Sequence, residues 1–88
     1  MSFTKTQDVT DMTNLKREVD QVATDRGTRN EARALSRYDS TKRTIQSRSS
    51  KNDKRLGLDY VDRMIQDGRD ANASRHCQAV LDALALIT

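Results

Sequence analysis

Apolar residues recur along this chain at intervals of three and four, and each run in which they do so ends near a turn signal. Met12, Leu15, Val19 and Val22 form one stripe on a helix, with Val9 a turn earlier. Thr4 and Gln7 have capping-box spacing ahead of it, and Gly27 can supply the left-handed residue that closes it. Thr28 and Glu31 make a second capping box, opening a helix that places Ala34, Leu35, Tyr38 and Ile45 on its apolar side. Gly57 and then Asp59, as N-cap, introduce a short helix carrying Tyr60, Val61, Met64 and Ile65, which Asp67-Gly68 ends. Asp70 or Asn72 caps the last helix, where Ala73, Cys77, Val80, Leu84 and Ile87 recur at four, three, four and three, widened by Leu81, Ala83 and Leu86. The pattern predicts an all-α fold: a small bundle of three to four short helices at about 5–24, 28–47, 58–67 and 70–87. Strand-like alternation and internal repeats are absent. Gln46 to Lys54 (QSRSSKNDK) has no apolar side chain and reads as a flexible basic loop at about 46–55, inside a single helical domain spanning 1–88.

Composition makes this a lean core. Hydrophobic residues are 34% of the 88, and Phe3, Tyr38 and Tyr60 are the aromatics. A chain of this size buries only about 60–65% of the surface that its unfolded form exposes. The last helix offers two heptads of apolar surface, so it is expected to self-associate through Cys77, Val80, Leu81, Leu84 and Ile87, joined by the first helix. On that expectation Leu84→Asp dissociates or unfolds the protein. Cys77 is the lone cysteine and cannot form an intramolecular disulfide. With no apolar run long enough for a membrane span and no hydrophobic leader, a reducing, cytoplasmic setting away from membranes is expected.

Charge changes the picture more. From Arg26 to Arg55, ten basic residues (Arg26, Arg29, Arg33, Arg37, Lys42, Arg43, Arg48, Lys51, Lys54 and Arg55) face three acidic ones (Glu31, Asp39, Asp53), a balance of +7. Residues 1–25 and 56–88 each hold three basic and five acidic side chains, or −2 apiece, so the net +3 hides a polarised molecule. Sign asymmetry of this kind points to an anionic partner. At about 100° per residue, Arg26, Arg29, Arg33 and Arg37 fall within about 80° of one another, roughly opposite the apolar side of the second helix. Guanidinium groups in such a ridge grip phosphate oxygens bidentately. Lys42, Arg43 and the basic loop from Arg48 to Arg55 add contacts. The bland alternative is a solvated face kept soluble by charge, with Arg stems shielding apolar surface.

Other motifs are weaker. The short helix, Asp-Gly turn and longer helix from Asp59 to Leu84 have the order of a helix-turn-helix, but Met64 and Ser74 occupy positions that want a small and an apolar residue. A plain helical hairpin accounts for them better. His76 and Cys77 lack further ligands at metal-binding spacing, and as helix neighbours they point about 100° apart, which excludes Cys–His nucleophilic catalysis. Cys77 lies on the apolar stripe and reads as a buried structural thiol. Tyr38 and Tyr60 each fit an apolar helix face better than a base-stacking platform. No glycine-rich phosphate loop, paired-carboxylate signature or Ser-His-Asp arrangement appears, so neither catalysis, a metal nor a cofactor is expected. The expected function is a non-enzymatic module engaging nucleic acid, DNA or RNA, mainly through phosphate. Its rivals are an inhibitor or adaptor of viral or mobile-element type docking on an acidic protein surface, and a structural assembly subunit.

Overall fold

The computed structural model of the chain describes residues 5–48 and 54–87. Four helices carry the fold: α1 (Lys5–Asp25), α2 (Glu31–Arg48), α3 (Leu58–Gln66) and α4 (Asp70–Ala85). Residues 54–56 are helical as well, which brings the helical segments to five against the three to four expected. Every element among the described residues is helical, and no helix there is long and apolar enough to cross a membrane.

The predicted stripes became the core. Met12, Leu15, Val19 and Val22 of α1 are fully buried, and α1 lies between α2, which contributes Ala34, Tyr38 and Ile45, and α4, which contributes Ala73, Cys77 and Leu84. α3 packs on α4 and closes the end of the bundle with Val61, Met64 and Ile65. Each such side chain taken from water contributes about 1.5–3 kcal/mol before chain entropy is charged against it.

Three details depart from the expected pattern. The loop expected over 46–55 is helical at both described ends: Gln46–Arg48 prolong α2, and Lys54–Leu56 form a helical turn. Leu56 and Leu58 anchor the second end in the core, which a reading based on the loop's polarity missed. Ser49 to Asp53 lie outside the described residues, as do Phe3 and the Thr4 of the first capping box. Asp59 does not cap α3: Gly57 occupies that position without a side-chain bond, and Asp59 sits in the first turn, where its charge suits the helix dipole. Nor do Asp70 or Asn72 cap α4, since Arg69 holds the cap position and the Asp70 carboxylate is turned to Arg26.

The second capping box is shifted by one residue. Glu31 Oε1 accepts from the Gly27 amide at 2.7 Å, while Thr28 Oγ accepts from the Asn30 amide at 3.1 Å and donates to the Asp25 carbonyl at 2.6 Å. The result is a tight turn across residues 26–30 that leaves Arg26 and Arg29 ahead of α2 instead of on it.

Cys77 and Leu84, expected at an oligomer interface, are core residues, so an acidic replacement of Leu84 unfolds the chain before it dissociates anything. Val80 and Leu81 are packed against the same core from its edge, and Ile87 remains half-exposed. Burial pushes the Cys77 thiol up to about 12, so it stays protonated and inert.

Gly57 and Gly68 both have left-handed φ, of 73° and 74°. Gly68 ends α3 in a Schellman arrangement, with the Arg69 amide donating to the Met64 carbonyl at 2.7 Å and the Gly68 amide to Ile65 at 3.1 Å. A Cβ there meets nothing, whereas at Gly57 it falls 2.2 Å from His76 Nε2, the atom 3.0 Å from the Leu56 carbonyl. Gly68→Ala should therefore cost about 1–2 kcal/mol, and Gly57→Ala distinctly more, in urea unfolding. His76→Ala should remove most of that excess in the double variant; equal costs for the two glycine variants would show that the close approach carries no weight.

Candidate anion-binding face

The acidic residues of the flanks do not sit apart from the basic middle; they are paired with it. Asp8, Asp11 and Glu18 on α1 and Asp70 on α4 are 2, 1, 8 and 7% exposed, too buried to remain ionised without partners. Arg55 reaches Asp8 Oδ2 at 2.7 Å, and Arg48 donates to Asp11, which also accepts from Gln7 at 2.9 Å. Arg37 approaches Glu18 at 3.8 Å. Arg26 clamps Asp70 with two bonds, at 2.7 and 3.1 Å, and donates to the Ile65 carbonyl at 2.9 Å, tying the α1–α2 turn to the α3–α4 turn.

Lys42 is also turned inward. Its ammonium donates to Asp62 Oδ1 at 2.9 Å and lies 3.5 Å from Asp39, while the Tyr38 hydroxyl donates to the same Asp62 oxygen at 2.9 Å. Tyr38 is therefore a core residue with its polar tip satisfied on α3. Tyr60 is partly exposed and tilts against the His76 ring at 5.0 Å between centroids.

The ten basic residues expected on one surface thus divide. Arg26 and Lys42 are structural, and Arg48 and Arg55 each spend one end on a buried carboxylate. Lys51 lies outside the described residues, and Lys54 is exposed on the turn before α3. Arg29 and Arg33 are exposed with no ion pair to a described residue. Arg37 and Arg43 keep 65 and 77% of their side chains in solvent, Arg37 over Glu18 and Arg43 beside Asp39 at 2.8 Å. The exposed positions of α2 are Ala32, Arg33, Ser36, Arg37, Ser40, Arg43, Thr44, Ser47 and Arg48. No carboxylate is among them.

Arg17 of α1 escaped the sequence reading, because it belongs to a segment whose balance is acidic. It is exposed, bonded to Asn14 at 3.1 Å, and borders the groove in which Arg33 and Arg37 lie. Among the described residues no group of three or more His, Cys, Asp or Glu side chains is placed to hold a metal ion. No family model, no curated protein and no solved structure matches this chain.

Acid separates the paired carboxylates by sign. Burial opposes ionisation of Asp62, but hydrogen bonds from Lys42 and Tyr38 outweigh it and hold the carboxyl below its ordinary 3.8. At Asp20 burial is likewise outweighed, by bonds from Lys16 and Ser74. At Asp8 burial prevails over Arg55, and Asp11 adds to the upward push. A carboxyl depressed in the fold contributes stability that is complete above its unfolded value and is lost as pH falls through its folded value. Asp62 and Asp20 should therefore weaken the fold below about pH 4, while Asp8, raised, offsets part of that loss as it takes up its proton. Denaturant unfolding at about pH 5 and pH 2 should show the decline, and Asp62→Asn should make it shallower. An unchanged decline in that variant would remove Asp62 from the account.

The structural arginine has its own test. Arg26→Gln strands a buried carboxylate and should cost about 1–3 kcal/mol, whereas Arg33→Gln should stay within about 0.5 kcal/mol of the parent. Equal losses for the two variants would contradict the division of the basic residues.

Proposed function

We propose that this protein is a non-enzymatic nucleic-acid-binding module whose contact surface is the exposed face of α2 with Arg29 ahead of it. The observation that carries this reading is the chemistry of that face: arginines interleaved with serine and threonine hydroxyls, with Asp39, bonded to Arg43, as the carboxylate at its edge. Arginine forks and hydroxyls are the donors that phosphate oxygens take most readily. The ion pairs support the reading indirectly, since they leave Arg29 and Arg33 without an ion pair to a described residue and hold Arg37 and Arg43 only at one end, on Glu18 and Asp39, with most of each side chain in solvent. Contacts of this kind position a protein on a phosphate backbone and read little base sequence.

About four available cations imply a slope of log K against log salt near −3.6 for duplex DNA. The sequence expectation of about four to six neutralised phosphates corresponds to a slope of roughly −4 to −5. Arg29→Gln with Arg33→Gln should keep the fold and reduce the slope by about 1.8. Fluorescence anisotropy with a labelled duplex across a salt series measures both. If the wild type has no affinity for DNA or RNA, and the double variant instead loses one protein complex, the face serves an acidic protein surface.

A further inference from the structure

We infer that the phosphate track is the seam between α1 and α2, with Arg17 of α1 as its opposing cation, and that the ligand is one phosphodiester backbone of a nucleic-acid duplex lying along it. The inference rests on the nucleic-acid reading above and adds to it a second helix and a geometry.

Two depressions run end to end along this seam and share Arg17 as a wall. One, of about 340 Å³, is bordered by Arg17 and Gln21 from α1 and by Asn30, Arg33 and Arg37 from the α2 side. The other, of about 130 Å³, is bordered by Arg17 and Asn14 from α1 and by Ser40, Thr44 and Arg48 from α2. Arg17 therefore faces Arg33 and Arg37 in one direction and Arg48 in the other. The two walls offer guanidinium and amide donors, with Ser40 adding a hydroxyl, while the Thr44 proton is committed to the Ser40 carbonyl at 3.0 Å.

Carboxylates lie beneath or at one end of this track. Asp11 and Glu18 form part of the floor, buried and held by Arg48 and Arg37, and Asp25 at the turn end accepts from Gln21 at 2.8 Å. A ligand resting on the walls meets the donors first. Asp11 Oδ2 is buried with no hydrogen-bond partner and lies out of reach of solvent, so it makes no contact with a ligand in the smaller depression.

Length and composition select the ligand. From Arg33 to Arg48 the seam runs about 22 Å at 1.5 Å per residue, long enough for a few successive phosphates of one strand. Among the described residues no aromatic ring borders either depression. Tyr38 is buried on Asp62, and Tyr60 lies against His76. Unpaired bases would find no stacking surface here, whereas a paired backbone needs none.

Arg17→Gln, Arg33→Gln and, as a control on α4, Arg75→Gln are to be compared with the wild type in salt-titrated anisotropy on a labelled duplex and on its separate strand. Arg17→Gln is expected to lose as much duplex affinity as Arg33→Gln, each reducing the salt slope by about 0.9. The thermal midpoint should stay unchanged, and Arg75→Gln should bind like the wild type. If Arg17→Gln binds normally while Arg33→Gln is weakened, contact stops at α2: the seam is wrong and the nucleic-acid reading stands. Tighter binding of the single strand than of the duplex overturns the choice of ligand. If the wild type binds neither at low salt, this inference and the function beneath it fall together.

Discussion

The need to neutralise carboxylates inside a small helical core organises this molecule. Asp8, Asp11 and Glu18 project from the same side of α1 as its apolar stripe, and Asp70 opens α4 in a buried position. Ionised and unpaired, each would weigh heavily against a core this size. The arginines that answer them come from elsewhere in the chain: Arg48 and Arg37 across the α1–α2 packing, Arg55 from the turn before α3, and Arg26 across to the α3–α4 corner. Replacing such pairs by apolar residues is often neutral or stabilising in other proteins. Their value here is placement, because each pair joins segments far apart in sequence and so fixes how α2 lies on α1 and how the two turns meet.

That placement also sorts the charge. A stretch of +7 between two of −2 has the makings of an external electrostatic device. Much of the field is consumed internally, and what reaches solvent is narrower than composition implies. Arg29 and Arg33 stand clear, Arg37 and Arg43 are held loosely, and the hydroxyls of Ser36, Ser40, Thr44 and Ser47 fill the intervals on α2. Thr44 and Ser47 donate to carbonyls one turn back, at 3.0 and 2.8 Å, which leaves their oxygen lone pairs outward and their protons committed. The arginines therefore supply the stronger donors of that face.

The opposite side of the molecule is built for rigidity. Tyr38, Lys42 and Asp62 join α2 to α3, with the ammonium 5.8 Å from the centre of the Tyr38 ring. Ser74 donates to Asp20 at 2.6 Å and pins α4 to α1, while His76 leans on Gly57 and the Leu56 carbonyl. These contacts keep the short α3 seated, while the seam between α1 and α2 carries the depressions bordered by Arg17, Arg33, Arg37 and Arg48.

Spacing alone determined the helices, because burial of a stripe at three and four demands the same geometry whatever it packs against. Met12, Leu15, Val19 and Val22, and Ala73, Cys77 and Leu84, are core for that reason, and the turns fall at glycines with positive φ. One further signal was legible and went unread: Asp8, Asp11, Leu15, Glu18 and Val22 also follow a three-four spacing, so carboxylates sit at stripe positions. A charge at such a position announces a buried partner. Tertiary structure decided which arginine answered which acid, and so which remained outside. Arg26 and Arg29 lie three residues apart in one turn, yet one is clamped on Asp70 and the other faces solvent. Periodicity gives each residue a direction relative to its own helix; ion pairing depends on where another helix brings its carboxylate, and that distance exists only once the chain has folded.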